Sequence, residues 1–251
     1  MANRKENILK DYVLLVEGKS DKQFFEAVFR NKANELLGDK TIPLLVLVPD
    51  ELNPDSGNCK HSLIKELVMQ IDNFKDDKLK RLGVIVDADF KNNNGGVEKT
   101  MTFISDALFK KGYLKIEANI NSDSNNAIFK GFVFKSDVGY PNINVWIMPN
   151  NADDGYLEYF IKDNLIENKN DKLQTSLFKY AIECFSKIPD KQDIKHRDID
   201  KSKAELATYL AFQKNPSYSI AAAVNLIDFT QLTAKNLMDW LIHTFPKVEN
   251  L

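Results

Sequence analysis

The chain has 251 residues, 43% hydrophobic and 28% charged, with a formal net charge of −2. These proportions suit a folded domain and exclude disordered and fibrous classes, and no apolar run approaches the ~18 residues of a membrane span. Cys59 and Cys184 are far apart with no CxxC pair, which argues against a disulfide framework or a cysteine zinc site and predicts a reducing, cytoplasmic setting. The opening MANRKENILKD has no apolar signal core, so secretion is not expected. The near-neutral charge does not advertise nucleic-acid binding. A cluster of metal-binding acids would itself lower the net charge, so only local basic patches count.

In chain order, YVLLV (Tyr12 to Val16) is a short, β-rich apolar run and predicts a buried strand. A helix is expected from Ser20, with Ser20 and Gln23 at capping-box spacing, Asp21 in the first turn and Gly38 as a stop after Leu37. IPLLVLV (Ile42 to Val48) predicts a second strand, and a helix follows around Ser62 to Phe74. LGVIVDADF from Leu82 predicts the third strand, followed by a polar loop and a helix from about Val97 to Phe109. Alternating strands and helices with buried-type strands predict a parallel sheet covered on both faces. Weaker strands near Leu114–Ile120 and Ile128–Phe134, joined through NSDSNN, predict an inserted hairpin. INVWIM from Ile143 predicts the next strand of the sheet and DDGYLEYFIKDNL a helix. From about Glu167 three helical stretches follow without a clear strand. The expected division is an α/β domain over residues 1–165 and a helical extension over 166–251 packed on it.

The tripeptide Gly18-Lys19-Ser20 invites a P-loop reading, which fails. G-x-x-x-x-G-K-[ST] needs a glycine at position 13, where Val13 stands inside the predicted strand, so no loop exists to wrap a phosphate. Glu17 is the more informative residue. It ends the first strand, at the edge where open α/β sheets bind ligands. Asp87 and Asp89 end the third strand two residues apart, and an extended backbone there puts both carboxylates on one face. An isolated glutamate at a strand end is ordinarily a solvated charge. Three convergent carboxylates repel one another, and a divalent cation is their natural neutraliser, with all-oxygen ligands favouring Mg2+ or Mn2+.

An apolar strand ending in Glu17-Gly18, followed by Asp87-x-Asp89 at the end of a later strand, resembles the Toprim domain of topoisomerases, bacterial primases, recombination mediators and OLD-family nucleases. VEGKSDKQFF is similar to the OLD-like branch, in which Asp21 adds a carboxylate, and DGYLEYFI resembles a later segment in which Glu158 is a further ligand candidate. The resemblance covers roughly residues 11–165 and implies an open, mostly parallel Toprim-like sheet flanked by helices. It also implies Mg2+-dependent phosphodiester cleavage of nucleic acid, DNA foremost, with Glu17 and Asp87 catalytic and Glu17, Asp21, Asp87, Asp89 and Glu158 binding metal. No segment resembles the topoisomerase tyrosine domain or the extra modules of primases. OLD-type nucleases usually carry an ATPase on the same chain, so here an ATPase is expected as a separate partner. The alternative is a non-catalytic Toprim-like module that binds nucleic acid or an ATPase partner, in phage defence or DNA repair.

The remaining motifs carry less. His61, His196 and His243 lack zinc-ligand spacing and read as surface or core residues. The mixed-sign run from Lys187 to Lys203 reads first as a solvated connector. Alternatively it tracks a phosphate backbone, and Lys203, heading a helix, resembles a catalytic lysine of some OLD-type nucleases. The polar loop SGNCKHS stands at the ligand edge, open to phosphate contact or to a plain connecting role. Trp240 and Phe245 follow helical spacing and are expected in the core.

Overall fold

Every residue of Tyr12–Val16 (β1) is buried, as a five-residue apolar run at the centre of a sheet must be. The computed structural model describes residues 11–32, 44–49, 59–75, 79–116, 131–166, 172–187, 201–214, 216–217 and 219–246. The other strands are Leu44–Leu47 (β2), Arg81–Asp87 (β3), Tyr113–Ile116 (β4), Phe132–Ser136 (β5) and Ile143–Met148 (β6). They form a mixed sheet in the order β2-β1-β3-β6-β5-β4. The first four strands of that order pair in parallel, β5 runs antiparallel to β6, and β4 antiparallel to β5. The fold class is α/β, as expected. The expected hairpin is present as the β4–β5 pair, and it completes one edge of the sheet. The NSDSNN turn lies outside the described residues.

The helices are Lys19–Asn31 (α1), Lys60–Lys75 (α2), Val97–Phe109 (α3), Leu157–Asp163 (α4), Lys172–Ser186 (α5), Lys201–Ala211 (α6) and Leu232–Thr244 (α7), with a 3₁₀ stretch at Ile220–Leu226. Strand alternation sorts side chains onto two faces. Val13 and Leu15, with Val84, Val86, Val145 and Ile147, meet Leu63 and Leu67 of α2 and Ile104 and Leu108 of α3. Leu14, Val16, Ile85 and Trp146 meet Phe24 and Val28 of α1, Phe160 of α4, Leu206 of α6 and Trp240 of α7. Helices on both sides of residue 166 thus share one apolar cluster against one face. Trp146 and Trp240 lie with ring centroids 6.1 Å apart, and Phe245 is fully buried, so both expected core aromatics are core. Gly83 of β3 allows this close approach: a Cβ there would come within 3.0 Å of both Phe245 and Thr244.

Two local expectations change. The cap of α1 is not Ser20, which lies inside the helix. Gly18 precedes the first turn, and its N–H donates to Asp21 Oδ2 at 2.8 Å. The strand expected to run extended through Asp89 ends at Asp87. Asp89 has a φ of 59° and forms an isolated bridge with Gly155, exchanging backbone bonds of 2.9 and 3.0 Å. Gly38, His196 and residues 188–200 of the basic run lie outside the described residues. Among the described residues, no helix is long and apolar enough to cross a membrane.

Candidate functional site

The chain leaves β1 for β2 on one side and later returns to β3 on the other, so the carboxyl end of β1 is the sheet's switch point, where open α/β sheets form a crevice. Glu17 is the first residue beyond β1. Its Oε2 accepts the backbone N–H of Asp87, the last residue of β3, at 3.3 Å. Asp87 in turn accepts the N–H of Leu157 through Oδ1 at 3.2 Å, which anchors the start of α4 against β3. Asp21, buried on the first turn of α1, is held by Gly18 N–H, and Glu158, buried on the first turn of α4, follows Leu157 directly. Lys203 of α6 reaches in from the C-terminal helices. Its Nζ lies 3.9 Å from Glu158 Oε1 and 5.4 Å from the centroid of the Tyr156 ring.

Asp89 stands apart from this group. Its carboxylate takes a 2.8 Å bond from Lys60 Nζ, and the same ammonium reaches Thr100 Oγ1 at 2.9 Å and the Ala88 carbonyl at 3.3 Å. The left-handed turn at Asp89, not an extended strand, decides its direction. Gly95 makes room for that turn, because a Cβ there would fall 2.5 Å from the Asp89 Cβ. Asp154 clips the same loop by accepting the N–H groups of Lys91 and Val97 at 3.2 and 3.3 Å.

The electrostatics match a crowd of acids. Burial pushes the Asp21 carboxyl up to about 7. The Gly18 N–H opposes this, while Glu17 and Glu158 add repulsion and Lys203 relieves some of it. Asp87 is pushed well above the usual carboxylate range by burial and then by Asp21, Glu17, Glu158 and Asp89. Burial also raises Glu17, with Lys60 and Lys203 pulling it back and Asp89 adding to the rise. Asp21 and Asp87 are each pushed up by neighbouring acids as well as by burial, which is the like-charge situation of a shared site. The charges of Glu17, Asp21, Glu158 and Asp89 all act on Asp87, and Lys203 lies beside Glu158 at the margin.

Lys60 is not among the residues that the sequence singles out, although it belongs to the SGNCKHS stretch, of which only Cys59 to Ser62 are described. The available signal is a lysine that opens the helix after the second strand. Of the histidines, His61 and His243 are both exposed, and the His243 imidazole is pushed down by partial burial and by Arg81.

A family model described as "Protein of unknown function (DUF3226)" matches residues 11–246. The chain belongs to the DUF3226 family. No curated protein and no solved structure matches it. In this DUF3226 chain the match runs from the residue before β1 to just past α7, so the acid cluster and the helix that carries Lys203 fall within one family unit.

The donor set is all oxygen and carries excess negative charge, which suits a hard divalent cation. The spacing does not yet close around one. Among the described residues, no group of three His, Cys, Asp or Glu side chains stands in metal-holding geometry.

Proposed function

We propose that this chain is a divalent-cation-dependent phosphodiesterase acting on nucleic acid, with a Toprim-like carboxylate cluster. The observation that carries the reading is the convergence of Glu17, Asp21, Asp87 and Glu158 on the switch-point crevice, where burial and mutual repulsion raise Glu17, Asp21 and Asp87. Strongly perturbed carboxyls in a cleft mark functional sites more often than structural ion pairs do. Glu17, Asp21 and Asp87 would hold Mg2+ or Mn2+, with Asp89 and Glu158 as flanking carboxylates. The cation, when bound, supplies electrostatic stabilisation of the charge that builds on phosphate oxygens during cleavage. Glu17 would be the group that takes a proton from an attacking water, a role favoured by the rise in its proton affinity that burial brings. Lys203 presents an ammonium at the rim, fit to pair with a phosphate oxygen.

The test is cleavage of labelled single- and double-stranded DNA and RNA in Mg2+, Mn2+ or EDTA. Divalent-dependent cleavage is expected, reduced by roughly 100-fold or more in Glu17→Gln and in Asp87→Asn. Cleavage that survives both substitutions ends the reading.

A second reading, a non-catalytic module that binds nucleic acid or a separate ATPase subunit, has one observation in its favour. Carboxylate oxygens of Glu17, Asp21 and Asp87 already accept backbone N–H groups, and the cluster is not spaced to hold metal as it stands. Soaking crystals with Mn2+ separates the two: absence of an anomalous peak between Glu17 and Asp87 favours the binding module.

A further inference from the structure

The face of the sheet opposite α1 carries a groove between α2 and α3 that the carboxylate chemistry does not use. The groove holds about 680 Å³, and its floor includes Met69 and Phe103, which are 60% and 38% exposed. His61, also in the lining, stacks on Phe103 with the ring planes 22° apart. Lys65 and Lys110, both exposed, and Lys111 line the same groove, with Asp106 the acid among them. Lys111 is shared with Asp72 at 3.4 Å. The groove also has a direction. His61 at one end follows Lys60, whose ammonium bonds to Asp89 at the margin of the carboxylate site, so that end lies toward the site.

We infer that this groove is the track of a single nucleic-acid strand entering the carboxylate crevice, its bases against Phe103, His61 and Met69 and its phosphates along Lys65 and Lys110. The choice of ligand rests on the phosphodiesterase reading above. The form of the ligand comes from the groove itself. A duplex keeps its base faces stacked inside, so an apolar, aromatic floor gains nothing from it. An unpaired strand offers π-faces to the floor and phosphates to the lysines, the combination by which proteins hold single strands. From His61 to Met69 the helix rises about 12 Å, enough to meet roughly two extended nucleotides. The direction toward the site and the basic rim favour this occupant over an acidic amphipathic helix, which shares the charge complementarity but has no reason to begin at the carboxylates.

The experiment is fluorescence anisotropy of the full chain in EDTA, so that no cleavage occurs, with a dye-labelled oligothymidylate and with a matched duplex. The single strand is expected to bind about tenfold more tightly than the duplex. Lys65→Glu with Lys110→Glu should weaken it by about tenfold or more and flatten the log K against log salt slope by about 1.4, at about 0.7 for each phosphate no longer neutralised. Phe103→Ala should weaken binding about tenfold and leave that slope unchanged. Unchanged melting temperatures certify the variants, all at exposed positions. No single-strand binding by the wild type, equal binding of duplex, or variants that bind as wild type each overturn the track. So does a Phe103-dependent complex with a synthetic acidic amphipathic peptide when the oligonucleotide does not bind, which would assign the groove to a protein partner. Cleavage in Mg2+ is scored separately. Groove-dependent binding without cleavage ends the phosphodiesterase reading alone, and cleavage with groove-independent binding ends the track alone.

Discussion

The backbone N–H of Asp87 donates to Glu17 Oε2 at 3.3 Å across 70 residues of sequence. The bond joins the ends of two strands that pair in parallel from Tyr12–Arg81 to Val16–Ile85, so the sheet's register places the two acids side by side. Burial there raises both carboxyls; the charge of Glu17 pushes Asp87 further up, while the Asp87 N–H holds Glu17 back.

Stability without a cation should fall as pH rises. The Asp21 carboxyl is shifted from 3.8 to about 7, so between those values the folded chain keeps a proton that the unfolded chain has released. The contribution is fully present below about pH 3.8, is lost as pH rises through about 7, and is flat beyond; Asp87 acts in the same direction. Asp21→Asn removes the charge and keeps an oxygen for Gly18 N–H. At pH 8 in EDTA it should raise the melting temperature by roughly 2–4 °C, the equivalent of about 1 kcal/mol in a chain of this size. It should also flatten the decline between pH 5 and 8, followed by circular dichroism. A melting temperature that climbs with pH over this window would sink the idea.

Gly95→Ala tests the loop that aims Asp89. The added Cβ would stand 2.5 Å from Asp89 Cβ and 2.9 Å from the Ala88 carbonyl, so backbone has to move. Overpacking of this kind costs about 1–3 kcal/mol. The urea midpoint should drop accordingly at constant m-value; an unchanged midpoint would mean the loop is loose.

Lys162→Met tests how α6 is held. Lys162 Nζ meets Glu205 Oε2 at 2.5 Å, and Glu205 is only 3% exposed, so losing the lysine leaves a buried charge with Lys201 at 3.9 Å as its remaining cation. A loss of about 3 kcal/mol is expected. Adding Glu205→Leu should recover most of it, since an apolar pair needs no partner. A double variant less stable than the single would refute this account.

Much of the site is legible in the sequence because strand ends are written in local pattern. Glu17 and Asp87 each close an apolar run, and β-period alone locates them at an edge. For Asp89 the pattern gives the right neighbourhood but the wrong backbone: period two assumes extension, and the turn at φ 59° depends on Gly95 and on the bridge to Gly155, 66 residues on from Asp89. The α1 cap is ambiguous in sequence because Ser20-x-x-Gln23 and Gly18-x-x-Asp21 both fit capping geometry. The strand's end at Val16 decides for the second. Lys60 can be seen only as part of a polar loop, since its partner lies 29 residues away on another element.

Local chemistry by itself determined the alternation of buried strands and amphipathic helices, hence the α/β class, and the acids that end β1 and β3. Those depend on periodicity and apolar runs, which act over a few residues. The folded chain alone decided that Glu17 after β1, Asp21 of α1 and Glu158 of α4 all act on Asp87 of β3, that Lys60 draws Asp89 aside, and that α6 delivers Lys203 to Glu158. These are meetings between distant segments, set by strand order and by which helix face each apolar cluster buries, and no local pattern encodes such distances.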